Sequence, residues 1–263
     1  MRIVARIVCI AAASLTITAA ASADTKLIYQ SNGAVTWNIA VRGDLVRWEF
    51  AGDRHKPMTF VYDNKRRHMS LIHEKRKRIY EVDDTKIAEQ RAMDARRRRA
   101  LESARRDYNN MSPERRRRFE KRMQPWQLRR LKGDGPGDAD PATVRKGRTT
   151  SVNGYVCQFY DTMVNEQPRQ QVCVAERKTV RMSPEDYGTL IGLFAFLGEM
   201  AKTSRLEQTH FARNLKGVPV QMKDNQAGLV QTVKTIDNAA LPADVFKLPP
   251  YEIFDPGARR KRR

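Results

Sequence analysis

The sequence predicts an α+β protein in which an open antiparallel sheet wraps around one apolar helix and an Arg-rich helical hairpin is inserted between strands. Three observations predict it. Apolar residues alternate with polar ones from Lys26 to Val82, and strand patterns return from Thr149 to Arg181, from Gly217 to Lys223 and from Leu229 to Ile236, which puts large side chains on one face of successive strands. Between these stretches, residues 85–144 lose the alternation and are rich in Ala, Arg, Glu, Met and Leu, all strong helix formers. Residues Tyr187 to Met200 are apolar nearly all round, through Leu190, Ile191, Leu193, Phe194, Phe196 and Leu197. A helix of that kind needs enclosure, and fourteen residues are too few to cross a bilayer.

The chain starts with Arg2 and Arg6, an apolar run from Ile7 to Ala20, and the small-x-small triplet Ala21-Ser22-Ala23. This pattern predicts a signal peptide over residues 1–23 that is cut after Ala23. The mature chain then starts at Asp24 and is periplasmic or secreted. In that compartment cytosolic nucleotides and chromosomal DNA are not expected partners, and paired cysteines are expected to oxidise.

From Lys26 to Val82 the sequence reads as a six-strand meander. Val35, Trp37, Ile39 and Val41 share one face of a strand, as do Val46, Trp48 and Phe50, then Met58, Phe60 and Tyr62. Turn residues separate the runs: Asn32-Gly33, Arg42-Gly43-Asp44, Gly52-Asp53, Asp63-Asn64-Lys65 and Glu74-Lys75-Arg76. Two helices are expected next, over residues 86–108 and 113–131, with Ser112 as cap and Pro113 in the first turn. Only ten large apolar residues fall between Lys86 and Lys132, and Phe119, Met123 and Trp126 are spaced to share one side of the second helix. A linker rich in Gly, Asp and Pro follows Lys132, with Asp134, Asp138 and Asp140.

Strands are then expected over Tyr155 to Val164 and Gln170 to Lys178, around a loop at residues 165–169. This pairing places Cys157 and Cys173 about opposite each other, as a disulfide requires. In the chain-entropy account such a bridge contributes roughly 3 kcal/mol. Ser183-Pro184-Glu185-Asp186 opens the apolar helix, and two more strands, Gly217 to Lys223 and Leu229 to Ile236, are joined by Asp224-Asn225-Gln226. The segments 24–84 and 145–256 therefore read as one sheet domain that is interrupted by residues 85–144, with a basic tail over residues 257–263.

Charge sets the function classes. There are 50 Lys and Arg against 30 Asp and Glu, a net charge of +20 that becomes +18 once Arg2 and Arg6 are removed. Residues Lys86 to Lys132 hold 17 basic and six acidic side chains, and Arg259-Arg260-Lys261-Arg262-Arg263 form a second cluster. Such patches attract polyanions at long range. Arg96, Arg97, Arg98, Arg99, Arg115, Arg116, Arg117 and Arg118 are the expected contacts to an anionic membrane surface or envelope polyanion. Nucleic acid is disfavoured, because aromatic residues do not interleave the arginine runs as a single-strand groove requires.

A resemblance adds to this reading. It rests on the exported N-terminus, on the stretch Met69-Ser70-Leu71-Ile72-His73-Glu74-Lys75-Arg76-Lys77-Arg78-Ile79-Tyr80, on the apolar helix after Ser183-Pro184-Glu185-Asp186, and on the ending Val245-Phe246-Lys247-Leu248-Pro249-Pro250-Tyr251. These resemble a periplasmic domain family of uncharacterised function whose fold is similar to the lipoprotein carriers LolA and LolB. The resemblance implies an antiparallel open half-barrel, closed by helices over an apolar cavity. Within the basic segment, Met111-Ser112-Pro113-Glu114-Arg115-Arg116 is similar to the Leu-Thr-Pro-x-Gln-Arg motif of small helical periplasmic stress chaperones.

The usual signs of catalysis are missing from the sequence. It contains no nucleophile elbow, no S-x-x-K, no phosphate loop and no dinucleotide fingerprint. His55, His68, His73 and His210 lack ligand spacing, with His68 and His73 on opposite sides of a strand. Asp134, Asp138 and Asp140 lack the order of a calcium loop. No metal, cofactor or enzymatic activity is expected. The expected function is non-catalytic binding of a lipid or other hydrophobic ligand between Trp37, Ile39, Trp48 and Phe50 on the sheet and Leu190, Phe194 and Leu197 on the helix. The alternative is an adaptor, or a helical chaperone-like module, that acts through the Arg-rich hairpin.

Overall fold

The computed structural model describes residues 24–31, 36–51, 57–132, 143–164, 166–201, 216–225 and 228–255. The expected signal peptide (residues 1–23), the turns at Asn32-Gly33 and Gly52-Asp53, His55, His210, the linker residues Asp134, Asp138 and Asp140, and the basic tail fall outside the described residues.

Six strands open the fold: β1 (Thr25–Ser31), β2 (Thr36–Arg42), β3 (Leu45–Ala51), β4 (Met58–Asp63), β5 (His68–His73) and β6 (Arg78–Val82). Each pairs antiparallel with the next, which is the expected meander. After helices α1 (Asp84–Asn109), α2 (Pro113–Glu120) and α3 (Pro125–Lys132) come β7 (Thr143–Val152), β8 (Tyr155–Val164) and β9 (Gln167–Ala175). Helix α4 (Pro184–Ala201), β10 (Val218–Asp224), β11 (Leu229–Asp237) and the two-residue β12 (Glu252–Ile253) complete the chain. Among the described residues the twelve strands form one open sheet, in the order β12-β6-β5-β4-β3-β2-β1-β11-β10-β9-β8-β7. Pairing of β1 with β11 joins the meander to the later strands.

Four expectations need correction. Residues 113–131 are two helices rather than one: α2 ends at Glu120 and α3 starts at Pro125. Proline disfavours helical backbone at the residue before it, which keeps Gln124 out of a helix and makes Pro125 the start of a new one. Phe119 and Trp126 therefore do not share a helix face; Phe119 packs on Tyr108, with ring centroids 6.2 Å apart, and Trp126 is 57% exposed. The strand expected from Thr149 already starts at Thr143, because an edge strand exposed along its length carries no apolar alternation to read. The loop expected at 165–169 is shorter, with β9 running from Gln167. Pro168 is accommodated next to a register shift at Thr162/Met163, where a missing N–H costs least.

The turn between β7 and β8 has Asn153 and Gly154 at φ +47° and +84°, the pair of positive values that a tight two-residue hairpin needs. The disulfide Cys157–Cys173 is formed, with Cα atoms 5.4 Å apart. Its geometry is diagonal rather than opposite, since Cys157 faces Ala175 and Cys173 faces Phe159.

One face of the sheet carries α4. Leu190, Leu193 and Phe196 are at most 1% exposed and join a core with Leu27, Ile39, Val41, Val46, Tyr62, Met69, Val220 and Val233. Phe196 lies 5.2 Å from the Tyr62 ring. Asp186 in the first turn of α4 fixes the helix to the sheet: its Oδ2 accepts from the Thr25 hydroxyl at 2.8 Å and its Oδ1 from the Gly43 N–H at 3.1 Å. Ser183 caps the helix by accepting from the Asp186 N–H at 3.0 Å.

The last described residues pass along the other face. Asp24 accepts from Arg42 at 2.7 Å and from the Leu241 N–H at 2.6 Å. Arg42 stacks over Phe246, 5.3 Å from the ring centroid, and Arg47 donates to the Val245 carbonyl at 3.0 Å. Farther along, Lys77 donates to the Tyr251 hydroxyl at 2.8 Å, and β12 pairs parallel with β6. Tyr251 covers a small second core of Val61, Ile72 and Ile79. The ending that carried part of the resemblance is thus a strap across the sheet, and the parallel pair it makes was not expected from the sequence.

Candidate functional site

Cross-strand register builds an aromatic shelf on the face that carries α4. Tyr29 on β1 lies opposite Trp37 on β2, Trp37 opposite Phe50 on β3, and Trp48 opposite Phe60 on β4. The rings are in contact: Trp37 and Trp48 meet edge to face with centroids 5.0 Å apart, Trp37 and Phe50 lie at 5.5 Å, and Trp48 and Phe60 at 6.2 Å. Contacts of this kind add about 0.5–1.5 kcal/mol each to area burial.

The structure separates the residues expected to bind a hydrophobic ligand. Ile39 at 1% exposed, Leu190 at 0% and Phe194 at 6% are enclosed in the core. Trp37, Trp48, Phe50 and Leu197 are only half-buried. Phe60, half-buried, and Met58, 40% exposed, extend the shelf and were not named as site residues, although their alternation with Tyr62 already put them on this face.

The indole N–H groups of Trp37 and Trp48 are the chemically distinctive feature of the shelf. Both Nε1 atoms are buried and neither has a hydrogen-bond partner among the described residues. A buried tryptophan N–H normally finds an acceptor, and leaving a donor unpaired costs about 1–3 kcal/mol. The two indoles that carry these donors are in contact, with ring centroids 5.0 Å apart.

The second expected site, the arginine runs, is on α1 and α2. Asp83 caps α1 by accepting from the Lys86 N–H at 2.8 Å. Ile87 is buried in the main core, Arg67 pairs with Asp84 at 2.9 Å, and both Arg67 and Arg91 reach Glu199 of α4, at 3.3 and 3.1 Å. Beyond this anchored start Arg96, Arg97, Arg98 and Arg99 are exposed. Four consecutive helical residues are spread over some 300° of the circumference at about 100° per residue, so they cannot all meet one flat surface. Arg97 is paired with Asp94 at 3.3 Å, whereas Arg96, Arg98 and Arg99 have no carboxylate in reach among the described residues.

On α2, Arg115, Arg117 and Arg118 are exposed. Arg116 has a structural role: it lies over the Tyr108 ring, 5.1 Å from its centroid, and donates to the Asn109 carbonyl at 2.8 Å. Glu120 receives the Tyr108 hydroxyl and Lys132, the latter at 2.9 Å, which ties α1, α2 and α3 together. The hydrogen bond from Tyr108 keeps the Glu120 carboxyl below its usual range, with Lys132 adding to the effect.

His68 lies 3.7 Å from Glu81, and the Nδ1 of His73 accepts from the Arg76 N–H. Among the described residues no group of three or more His, Cys, Asp or Glu is placed to hold a metal ion, and no helix is long and apolar enough to cross a membrane.

No protein-family model and no curated protein matches the sequence. Among solved structures the chain is similar to an uncharacterized conserved protein from Thermus thermophilus, at TM-score 0.41 and 6% identity over 89% of this chain and 90% of that one. It is also similar to PNGF-II, at TM-score 0.40 and 10% identity over 91% of this chain and 32% of that one. MucB matches at TM-score 0.34 and 11% identity, over 89% of this chain and 60% of MucB. The chain thus spans about a third of the length of PNGF-II and three-fifths of that of MucB.

Proposed function

We propose that this chain is an exported, non-catalytic binding protein of the cell envelope, and that it holds a lipid or other hydrophobic ligand on the Trp37–Trp48–Phe50–Phe60 shelf. The observation that carries the reading is the pair of buried, unpartnered indole N–H groups beside half-buried rings. Apolar surface alone would suit any packed core, but two donors without acceptors among the described residues suit a ligand that brings its own carbonyl or ester oxygens to an apolar bed and displaces the atoms that cover them. The disulfide agrees with an oxidising compartment, and the open sheet agrees with the half-barrel of the carriers that the sequence resembles.

The test is native mass spectrometry of the chain from Asp24 onward, purified from the envelope without detergent. The expected result is a released lipid of defined mass, together with a mature N-terminus at Asp24. In a Trp126→Phe background, which removes the exposed indole, added palmitic acid should shift the emission of the two remaining tryptophans. A chain without passenger whose emission ignores both palmitic acid and phosphatidylglycerol vesicles would overturn the reading.

A second reading is compatible with the first. The unpaired guanidiniums of Arg96, Arg98 and Arg99, with exposed Arg115, Arg117 and Arg118, would recruit the chain to an anionic surface. Each engaged cation near such a membrane is worth about 1 kcal/mol. Sedimentation with phosphatidylglycerol vesicles should fall when these six become Gln and should weaken steeply with salt. Recruitment indifferent to both would exclude it.

A further inference from the structure

We infer that the edge strand β7 is an acceptor for an extended acidic segment of a partner protein, which would add to the sheet as a thirteenth strand. β7 has ten residues and ends the strand order, so among the described residues nothing pairs with its outer edge. Its first seven residues, Thr143 to Thr149, are all exposed. Exposed edges offer a row of unpaired N–H and C=O groups, and natural proteins shorten, cover, bulge or charge them so that like edges do not pair. Among the described residues this one is long and uncovered, and its protection is charge of a single sign.

Charge selects the occupant. Residues 143–152 contain Arg145, Lys146 and Arg148 and no acid. Arg145 reaches Asp161 only at 3.9 Å and its side chain stays 70% exposed, while Lys146 and Arg148 have no carboxylate within reach among the described residues. A second copy that paired antiparallel through β7 would set these cations against themselves, and like charges on facing strands are destabilising. The same cations favour an incoming strand that carries Asp or Glu.

The adjoining surface supports this choice. A cleft of about 610 Å³ opens at Gly147 and Arg148 and continues over Phe159, Gln171, Gln221 and Lys223. Gly147 sits within the register shift between Lys146 and Thr149, where β7 departs from regular pairing with β8. A residue of the added strand beside Gly147 meets the cleft with no side chain in between, and Arg148 and Lys223 suit a carboxylate there. Asp161, which also lines the cleft, is already held by the Gln171 amide at 2.9 Å. In strand addition the backbone supplies affinity and the alternate side chains supply specificity.

The experiment uses the full disulfide-bonded chain and a synthetic ten-residue peptide that alternates Val or Thr with Asp or Glu. Binding is read by titration, and its location by amide hydrogen exchange. The expected result is slower exchange confined to β7, loss of binding when the peptide's amides are N-methylated along one edge, and weakening of about tenfold in R145E/K146E/R148E. Unchanged melting of that variant would exclude misfolding. The proposal is overturned by absence of binding at millimolar peptide, by unchanged exchange over 143–152 at saturation, by equal binding of the N-methylated peptide, or by equal binding of a peptide with Lys and Arg in place of the acids.

Discussion

Replacing Asp186 tests the link between α4 and the sheet. The residue is 1% exposed, and its carboxylate accepts the Thr25 hydroxyl and the Gly43 N–H. Asp186→Ala removes both acceptors. The Gly43 N–H loses its carboxylate partner, while the Thr25 hydroxyl keeps a longer contact to Asn238 at 3.3 Å. Hydrogen bonds to charged groups are worth about 1.5–3 kcal/mol each, and an abandoned buried donor adds to the loss. Against this, removing the carboxylate relieves its own desolvation, so the net cost should be about 2–3 kcal/mol. For a chain of this size that lowers Tm by roughly 5–10 °C.

Asp186→Asn keeps an acceptor and the shape, and should cost under about 1 kcal/mol near neutral pH. The two variants also separate the effect of charge. Burial raises the Asp186 pKa above its usual 3.8, against the lowering effect of the bonds from Thr25 and Gly43. The folded state therefore keeps this proton over a window in which the unfolded chain has released it. Wild-type stability is reduced as pH rises through that window, and the reduction is complete above the folded pKa. Asp186→Asn lacks this slope, so it gains on wild type as pH rises from about 4 to 7. Urea unfolding, followed by circular dichroism across that range, measures both quantities. A cost for Asp186→Ala below about 0.5 kcal/mol, or strict additivity with Thr25→Ala in a double-mutant cycle, would refute the reasoning.

Other predictions are independent of that anchor. The hydrogen bond from Arg42 holds Asp24 below its usual range, so its contribution is present above pH 3.8 and lost as pH falls through the lower folded value. Asp24→Asn should remove this acid-side loss and cost about 1–3 kcal/mol at neutral pH, read by denaturant unfolding. Reducing the Cys157–Cys173 bridge should cost about 3 kcal/mol and leave the far-ultraviolet spectrum of the folded state intact. Gly217 has φ +152°, and a Cβ there would lie 2.5 Å from the Ala175 carbonyl oxygen and overlap Val174. Gly217→Ala should therefore destabilise by more than about 2 kcal/mol in the same assay, whereas Gly154→Ala meets no neighbour and is limited to the cost of its own positive φ.

Part of the shelf was legible in the sequence because a strand projects alternate side chains to opposite faces. Trp37, Trp48 and Phe50 could be assigned to one face before any pairing was known. The alternation could not say how far α4 would reach along that face. Helix contact encloses Ile39 and Leu190 and leaves the tryptophans half-buried, so residues of the same pattern have different surroundings. The unpaired indole N–H groups are likewise a matter of what lies within hydrogen-bond distance, which no periodicity records. Similarly, composition marked Arg116 as one of four equivalent cations, yet it alone of the four is folded over Tyr108.

By itself the sequence determined the meander, the apolar helix, the identity of the cysteine pair and the location of the basic segment, because these depend on local periodicity, turn chemistry and charge. Only the tertiary structure decided that β1 joins β11, that the C-terminal strap adds a parallel strand beside β6, and that β7 is left as an open edge among the described residues. Those outcomes come from contacts between residues far apart in the chain. They depend on which faces remain to be covered once the local elements have formed, and the order of residues does not carry that information locally.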